Sequence, residues 1–251
     1  MEFKDMFSGR AAIYSQFRPH YPAALFEWIA GLTSQRHLAW DCATGNGQAA
    51  LGLANHFEHV VATDASERQI REAKPHPSIE YRVATAYASG LPDGSADLVT
   101  AAQAIHWLDY ASFYDEVKRV LAPGGAFAIW GYGDPMLDDE SLERIVHDYN
   151  RGTIEDYWRP ERNVILDGYR TIPFPFDEVE SPEMMMECRW TLAELAGYIR
   201  TWSATAAYAA AHGFDPVLLV EAGLAEHWGP PLERHLVRWP LHIRAGLIRT
   251  S

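Results

Sequence analysis

The sequence predicts an α/β fold in which a doubly wound, mostly parallel sheet of seven strands ends in an antiparallel last strand and carries a helical lid. Five short apolar runs between Leu38 and Gly131 are each followed by a turn signal and a helix-length stretch, the alternation expected of parallel strands with crossover helices. The fourth run, Ala96 to Gln103, is apolar almost throughout, as a strand buried on both faces should be. A small-residue turn joins the first run to the next helix and indicates a ligand site there.

The five parallel strands are predicted in chain order, each bounded by residues that break regular structure. Pro123-Gly124-Gly125 is expected to end the helix that precedes the fifth strand. The predicted strands are Leu38–Ala43, His59–Asp64, Ile79–Ala84, Ala96–Gln103 and Ala126–Tyr132.

The regular alternation stops after Asp134, and an aromatic, proline-rich stretch from Tyr149 to Phe176 indicates a helix and loops that belong to a lid. The sheet pattern then resumes with a strand, two helices and a last strand. Their predicted spans are Met184–Trp190, Thr191–Ala206, Asp215–Trp228 and His235–Ile248. Thr191 with Glu194 three residues later predicts a capped helix start, whereas Pro240 favours an edge or a bulge for the last strand.

We expect one domain with four parts. Residues 1–37 would form an N-terminal flap, and residues 38–133 the ligand-binding core. Residues 134–182 would form the lid, and residues 183–251 would complete the sheet with strands and helices.

Composition disfavours several kinds of partner. The 251 residues carry a formal net charge of -13, whereas nucleic-acid binding depends on clustered lysine and arginine, so no nucleic-acid partner is expected. No stretch approaches the roughly 18 apolar residues of a membrane span, and the start of the chain lacks the layout of a secretory signal. With Cys42 and Cys188 as the only cysteines, we expect free thiols in a cytoplasmic monomer or homodimer. The pattern of cysteine, histidine and acidic residues predicts no metal site.

The turn after the first strand runs from Asp41 to Gln48 and lets backbone amides approach a ligand closely. Gly45, Gly47 and Ala50 match the loose dinucleotide pattern, so a nicotinamide or flavin site is one interpretation. Asp41 argues against it, because a carboxylate at this strand end repels a pyrophosphate and attracts a cationic ligand. The alternative is that Asp41 is only a turn or capping acid.

A second acid, Asp64, ends the next strand 23 positions after Asp41. A carboxylate there can accept hydrogen bonds from two ribose hydroxyls, a role that serves NAD and S-adenosylmethionine alike. The alternative is a simple cap for the helix that begins near Ser66, and one side chain could do both.

Several segments together resemble class I S-adenosylmethionine-dependent methyltransferases of type 11, in the group that includes trans-aconitate methyltransferase-like proteins. The resemblance covers nearly the whole chain and implies a Rossmann-like fold, S-adenosylmethionine as cofactor and a small-molecule acceptor. The segments that carry it are Phe7, Tyr14, Arg18 to Pro22, Asp41 to Gln48, Leu91 to Asp97, Ala102 to Trp107, Arg119 to Gly125, Trp239 to Leu241 and Arg244 to Gly246.

The resemblance also implies which residues bind the cofactor. The loop after the first strand would lie against the methionine part, Asp64 against the ribose, and Ala86 and Tyr87 near the adenine. Ala43 stands where the family usually has a glycine, and Tyr87 where an acid is common. The expected set is Tyr14, Arg18, Asp41, Ala43, Thr44, Gly45, Gly47, Asp64, Ala65, Ala86, Tyr87, Gln103 and Ala104.

The acceptor pocket is expected at the same edge of the sheet, with aromatic walls. His106 is the candidate general base for an acceptor that must lose a proton, although a packing histidine is the simpler interpretation. Arg159, Arg162 and Arg170 could pair with an acidic acceptor or could merely solvate the surface. The predicted pocket residues are Tyr21, His106, Trp107, Trp130, Tyr132, Tyr157, Trp158 and Arg170.

The sequence therefore predicts methyl transfer from S-adenosylmethionine to a small molecule, with a carboxylate as one acceptor class. Two alternatives remain at this stage. One is a catalytically silent, S-adenosylmethionine-binding regulatory protein, which Ala43 and Tyr87 suggest faintly. The other is an NAD(P)-dependent oxidoreductase, which the glycine pattern permits.

Overall fold

The computed structural model describes residues 17–248. The expectations for Phe7 and Tyr14 lie outside the described residues and stay predictions. The strands of the sheet are β1 (Leu38–Cys42), β2 (His59–Asp64), β3 (Ile79–Val83), β4 (Ala96–Ala102), β5 (Leu121–Tyr132), β6 (Met136–Leu137), β7 (Asp177–Val179), β8 (Met184–Trp190) and β9 (His235–Leu247).

Helices follow β1, β2 and β4 as the alternation predicted, but the prediction is wrong between β3 and β4, where residues 84–95 form turns instead of a helix. Short 3₁₀ or π turns at Ile105–Trp107, Tyr149–Thr153 and Glu155–Tyr157 lie between them. The α-helices are α1 (Ala23–Ala30), α2 (Gln48–Leu53), α3 (Glu67–Glu72), α4 (Tyr110–Val120), α5 (Glu140–Asp148), α6 (Arg162–Leu166), α7 (Leu192–Arg200), α8 (Ser203–His212) and α9 (Val217–His227).

The sheet has the predicted doubly wound topology. Its strand order is β3-β2-β1-β4-β5-β9-β6, in which β1 to β5 pair in parallel and β9 runs antiparallel to β5. The strands β7 and β8 pair with β9 on its other side. The mostly parallel sheet with an antiparallel last strand is thus confirmed, and the short strands β6 and β7 extend the predicted seven.

The strand β9 is not an edge strand, which corrects the expectation drawn from Pro240. Residues His235 to Leu241 pair with β8, and Leu241 to Leu247 pair with β5. On the β5 side, Pro240 lies between Arg238, which pairs with β6, and Leu241, where pairing with β5 begins. Proline lacks an amide donor, so it is tolerated inside this sheet at the point where the partner strand changes.

Two predicted boundaries are also wrong. Pro123-Gly124-Gly125 lies within the start of β5, where the register with β4 shifts, whereas the preceding helix already ends at Val120. The helix predicted over Thr191–Ala206 is two helices, because Thr201 donates its hydroxyl to the Tyr198 carbonyl and Trp202 is extended. The capping box of Thr191 and Glu194 is present as predicted.

Apolar side chains cover both faces of the sheet, as the doubly wound topology requires. Successive residues of β1, Ala39 and Trp40, enter different core clusters, one with α1 and α2 and the other with α4. The carboxyl ends of the parallel strands remain for polar side chains and loops. Within residues 17–248, no helix is long and apolar enough to cross a membrane.

Candidate active site

The candidate site lies at the switch point of the sheet, between β1 and β4. Chain connections leave these two neighbouring strands in opposite directions, which opens a crevice at their carboxyl ends. Asp41 of β1 stands in register with Thr100 of β4, and Asp41 pairs on its other side with Ala62 of β2. The loops after β1, β2 and β4 therefore converge on one edge.

The loop after β1 is a tight turn with three left-handed residues. Ala43, Gly45 and Gly47 have φ values of 53°, 57° and 85°. The Thr44 amide donates to the Thr63 carbonyl at 2.9 Å, and the Gly47 amide donates to the Thr44 carbonyl at 3.0 Å. Alanine at position 43 thus adopts the conformation that glycine would take more easily, at a cost of about 1–2 kcal/mol. The departure from the family pattern therefore carries an energetic cost in this turn.

Asp64 joins this loop to the loop after β2. Its Oδ2 accepts from the Gly45 amide at 2.9 Å, and its Oδ1 accepts from the Ser66 amide at 2.8 Å. Ser66, rather than Asp64, caps α3 by accepting from the Gln69 amide. A carboxylate has about four acceptor sites, so bracing the loop is compatible with the predicted ribose contact.

Asp41 is fully buried beneath the loop. It accepts hydrogen bonds from the hydroxyls of Thr44 at 2.5 Å and Thr100 at 2.9 Å, and from the Ala50 amide. Burial raises the pKa of this carboxyl to about 6, while the hydrogen bonds oppose the shift. Asp41 braces the turn and supplies negative charge below it, and its contact with the cofactor stays a prediction.

Tyr81 of β3 contributes to the site, although the sequence around it does not predict such a role. A Cβ on Gly47 would collide with the Tyr81 hydroxyl and ring edge, so the phenol lies directly against the turn. The hydroxyl also donates to the Lys74 carbonyl at 3.0 Å. Burial raises the Tyr81 pKa to about 12, and the Asp41 charge adds to the shift. Tyr81 lies on β3, which is two strands away from β1 in the sheet. No local sequence motif indicates its contact with Gly47.

We expect Gly47→Ala to lower the free energy of unfolding by about 3 kcal/mol, because it combines left-handed strain with a collision. Gly45→Ala is the matched control, since Gly45 is also left-handed but has open space where the Cβ would lie. Its expected loss is about 1 kcal/mol. Urea unfolding of both variants measures the difference. Equal losses would mean that the Tyr81 contact does not constrain the turn.

The residues predicted near the adenine lie along the next loops. Ala65 and Ala86 are partly buried, and Tyr87 is exposed, with 42% of its surface accessible. The Tyr87 hydroxyl accepts from the Asp109 amide at 2.9 Å. Tyr87 thus joins the loop after β3 to the start of α4, a contact that an acid at this position would make differently.

The loop after β4 carries Gln103, Ala104 and His106. Gln103 has a φ of 53°, and its amide donates to the Trp130 carbonyl at 2.8 Å. His106 is 8% exposed, and its Nδ1 has no hydrogen-bond partner among the described residues. Burial lowers the His106 pKa to about 4, so the imidazole is neutral at pH 7. Such an imidazole is a weak base.

Arg18 lies beside residues of the predicted acceptor pocket, although it was expected at the cofactor. Its Nη1 donates to the Tyr132 hydroxyl at 2.8 Å, and its guanidinium lies 5.7 Å from the centre of the Tyr198 ring. Tyr21 packs edge-on against Trp130, with the ring centres 5.6 Å apart. Trp130 is fully buried, so it is a core residue behind Tyr21 and does not wall an open pocket as predicted.

A second cationic group enters from the predicted lid. The Arg162 guanidinium lies 3.9 Å from the Trp158 ring centre and forms an ion pair with Asp134. Arg151 also pairs with Asp134, at 3.1 Å. Asp134 follows the end of β5. An acid at the carboxyl end of a parallel strand is a sequence signal that could have identified Asp134 as a site residue. Trp158 is held in place by donating from its Nε1 to the Asn150 side chain at 2.8 Å.

Other lid residues do not meet at this site as predicted. Tyr157 stacks edge-on with Tyr208 of α8, and its hydroxyl pairs with His212 at 2.6 Å, so it faces that helix. The Arg170 side chain is 79% exposed and bonds only to Asp167 among the described partners, because both belong to the turn after α6. The Arg159 guanidinium lies 5.9 Å from a Trp107 ring centre, and the role of Trp107 as a pocket wall stays a prediction.

Comparison with known proteins decides what kind of site this is. A family model for the methyltransferase domain matches residues 40–129. A protein described as a methyltransferase in Dictyostelium discoideum is 34% identical over 217 residues, which cover 85% of this chain and 82% of that protein. The chain belongs to the methyltransferase family. It is therefore an S-adenosylmethionine-dependent methyltransferase of class I, and the oxidoreductase interpretation is set aside.

Solved structures agree with this assignment. A protein described as a type II methyltransferase from Anaeromyxobacter dehalogenans is 43% identical, with a TM-score of 0.88, and the match covers 94% of this methyltransferase and 100% of that chain. A structure from Bacillus halodurans C-125 is 18% identical, with a TM-score of 0.51 and coverage of 91% and 99%, which shows a shared fold. The predicted family and fold are confirmed.

Proposed function

We propose that this methyltransferase transfers the methyl group of S-adenosylmethionine to a carboxylate oxygen of a small-molecule acid. The observation that supports it is the set of arginines beyond the carboxyl end of β5. Arg18 and Arg162 both interact electrostatically with the buried Tyr198 phenol, so the two guanidinium groups share one neighbourhood. Arginine presents a planar fork that matches a carboxylate.

Several guanidinium groups gather in this neighbourhood, and their chemistry suits an anionic acceptor. Arg18, Arg151 and Arg162 supply three positive charges. Asp134 faces Arg151 and Arg162, and Glu155 lies 4.0 Å from Arg151. We propose that these guanidinium groups hold the acceptor carboxylate. Trp158 and Tyr132 add aromatic surface beside it, suited to the carbon frame of the acid.

The residues of the donor site fit S-adenosylmethionine. The turn leaves open space beside Gly45, and Asp64 stands at the strand end that suits a ribose. Asp41 beneath the turn favours a ligand that carries positive charge and no phosphate. The proposed donor contacts are those of the loop after β1, Asp64 and the backbone of Gln103 and Ala104.

S-adenosylmethionine, when bound, supplies a methyl group already activated by a sulfonium, so transfer to a carboxylate oxygen requires no proton removal. His106 agrees with this chemistry, because its low pKa makes it a poor base near neutral pH. The arginines hold the acceptor, and the lid residues Trp158 and Arg162 exclude water from it. We propose that His106 packs beneath the lid and transfers no proton.

A panel of acceptors tests this proposal. The full chain is incubated with methyl-labelled S-adenosylmethionine and with acids, alcohols and amines that share a carbon frame, and methylated products are identified by mass spectrometry. We expect methyl esters from acids and no product from the matched alcohols. His106→Ala should keep kcat within about threefold of the unchanged protein, because general bases contribute about a hundredfold or more where they act.

Two results would contradict the proposal. One is methylation of an alcohol or amine while the matched acid is left unchanged. The other is a loss of a hundredfold or more in kcat for His106→Ala, which would assign proton transfer to that residue.

A further inference from the structure

Backbone strain is concentrated near the proposed site. Among residues 17–248, the non-glycine residues with a left-handed backbone are Ala43, Gln103 and Tyr169, with φ values of 53°, 53° and 62°. Ala43 and Gln103 belong to the loops after β1 and β4, which we propose to flank the methionine part of the donor. Tyr169 follows α6, far away in sequence. Strain of about 1–3 kcal/mol at an aromatic residue persists only where the surroundings impose it, and it often marks a functional site.

The Tyr169 hydroxyl is a second anomaly. The side chain is fully buried, and its oxygen has no hydrogen-bond partner among the described residues. Burial raises its pKa far above the usual range, so the phenol keeps its proton. A buried hydroxyl without a partner costs about 1–3 kcal/mol. Phenylalanine would fill almost the same volume without that cost, so packing alone does not explain a tyrosine here.

The side chains of Tyr169 and Gln103 both approach Gly131. A Cβ at Gly131 would collide with the Tyr169 hydroxyl and would lie 3.2 Å from the Gln103 Oε1. The phenol and the amide oxygen therefore face the same point near the end of β5. A phenol donates and an amide oxygen accepts, so the two groups are chemically complementary. The amide nitrogen, Gln103 Nε2, donates to the Tyr132 carbonyl at 3.1 Å, which fixes the orientation of the side-chain amide.

The backbone around Tyr169 is fixed independently of its hydroxyl. Its amide donates to the Val164 carbonyl and the Gly168 amide to the Ile165 carbonyl, both at 2.8 Å, which closes α6 with a Schellman motif. Arg244 Nη1 donates to the Tyr169 carbonyl at 2.7 Å. These contacts hold the strained backbone and aim the ring at Gly131. Removing only the hydroxyl should therefore leave this turn intact.

We propose that Tyr169 is a positioning residue of the methyl-transfer site, whose hydroxyl donates to Gln103 Oε1 when the donor is bound. This bond holds the loop after β4 in its left-handed conformation and keeps the Gln103 backbone against the methionine part. The inference rests on the proposed donor site. It links the end of the lid helix α6 to donor binding through one side chain.

Calorimetric titration with S-adenosylhomocysteine tests the inference on the full chain. Tyr169→Phe should raise the Kd about fivefold, the worth of one hydrogen bond. Its thermal unfolding midpoint should stay the same or rise, because an unpaired buried hydroxyl is removed. Tyr114→Phe is the matched control, since that hydroxyl lies in the same core and donates to the Pro173 carbonyl at 2.5 Å. It should lower the midpoint and leave the Kd unchanged.

A double-mutant cycle identifies the route of the effect. In a Gln103→Ala background, Tyr169→Phe should change the Kd no further, because the acceptor of its hydrogen bond is gone. Additive losses would overturn a role through Gln103. An unchanged Kd for Tyr169→Phe alone, or a weaker Kd accompanied by a lower unfolding midpoint, would overturn the inference as well.

Calorimetry on the unchanged protein distinguishes a failure of this inference from a failure of the proposed function. Binding of S-adenosylhomocysteine by that protein, with an equal Kd for Tyr169→Phe, would overturn the inference and leave the donor site standing. Absence of binding by the unchanged protein would overturn the proposed donor site and the inference together.

Discussion

Asp64→Ala is expected to weaken binding of S-adenosylhomocysteine by about a hundredfold, because two hydrogen bonds to a charged acceptor are lost and each is worth about 1.5 kcal/mol or more. The substitution also removes the acceptor for the Gly45 and Ser66 amides, which join the two loops of the site. Both effects weaken binding of the cofactor. Neither involves the small molecule that receives the methyl group.

Calorimetry on the folded variant measures this loss, and His106→Ala serves as its control. His106 belongs to the loop after β4 and should change the Kd by about twofold at most, because it offers no charge to the cofactor at neutral pH. Circular dichroism confirms that both variants keep the fold. Equal losses in the two variants would show that the ribose contact has been assigned to the wrong residue.

Asp41→Asn should change the pH dependence of stability. The folded pKa of about 6 lies above the ordinary value of 3.8, so folding favours the protonated carboxyl. Its favourable contribution is complete below pH 3.8 and is lost as the pH rises through 6. A shift of about two pKa units corresponds to about 3 kcal/mol. The asparagine variant lacks this loss.

Urea unfolding of both proteins between pH 4 and pH 7 measures the effect. The free energy of unfolding of Asp41→Asn, relative to the unchanged protein, should rise by about 3 kcal/mol across this range. Glu116→Gln is the control, since its pKa is lowered to about 2, chiefly by Arg119, and its titration lies mostly below the range. A flat difference for Asp41→Asn would mean that Asp41 is not buried as a titrating group.

The sequence was informative wherever a function depends on a local pattern. The apolar runs predicted β2 and β8 to the residue, and the acid that ends β2 lies at the loop of the site as expected. The small-residue turn after β1 was predicted from Gly45 and Gly47, which both adopt left-handed conformations. Such features can be predicted because they depend only on residues close in sequence and on the parallel topology of the sheet.

Contacts between distant segments were the part that could not be predicted. Whether Asp41 meets a ligand or two threonines depends on Thr100, which lies one strand away in the sheet. The residue types of Tyr157 and Arg170 predicted that both would line the pocket. Instead, Tyr157 faces α8 and Arg170 faces solvent. The meeting of Gln103, Gly131 and Tyr169 joins three separate segments, and no local pattern marks it.

A crystal structure of the full chain with S-adenosylhomocysteine tests the central claim most directly. We expect ribose hydroxyls within hydrogen-bond distance of Asp64 and the methionine part against the turn from Ala43 to Gly47. The sulfur should face the side of the site where Trp158 and Arg162 lie. A ribose bound away from Asp64, or a ligand that leaves the turn after β1 uncontacted, would contradict the account.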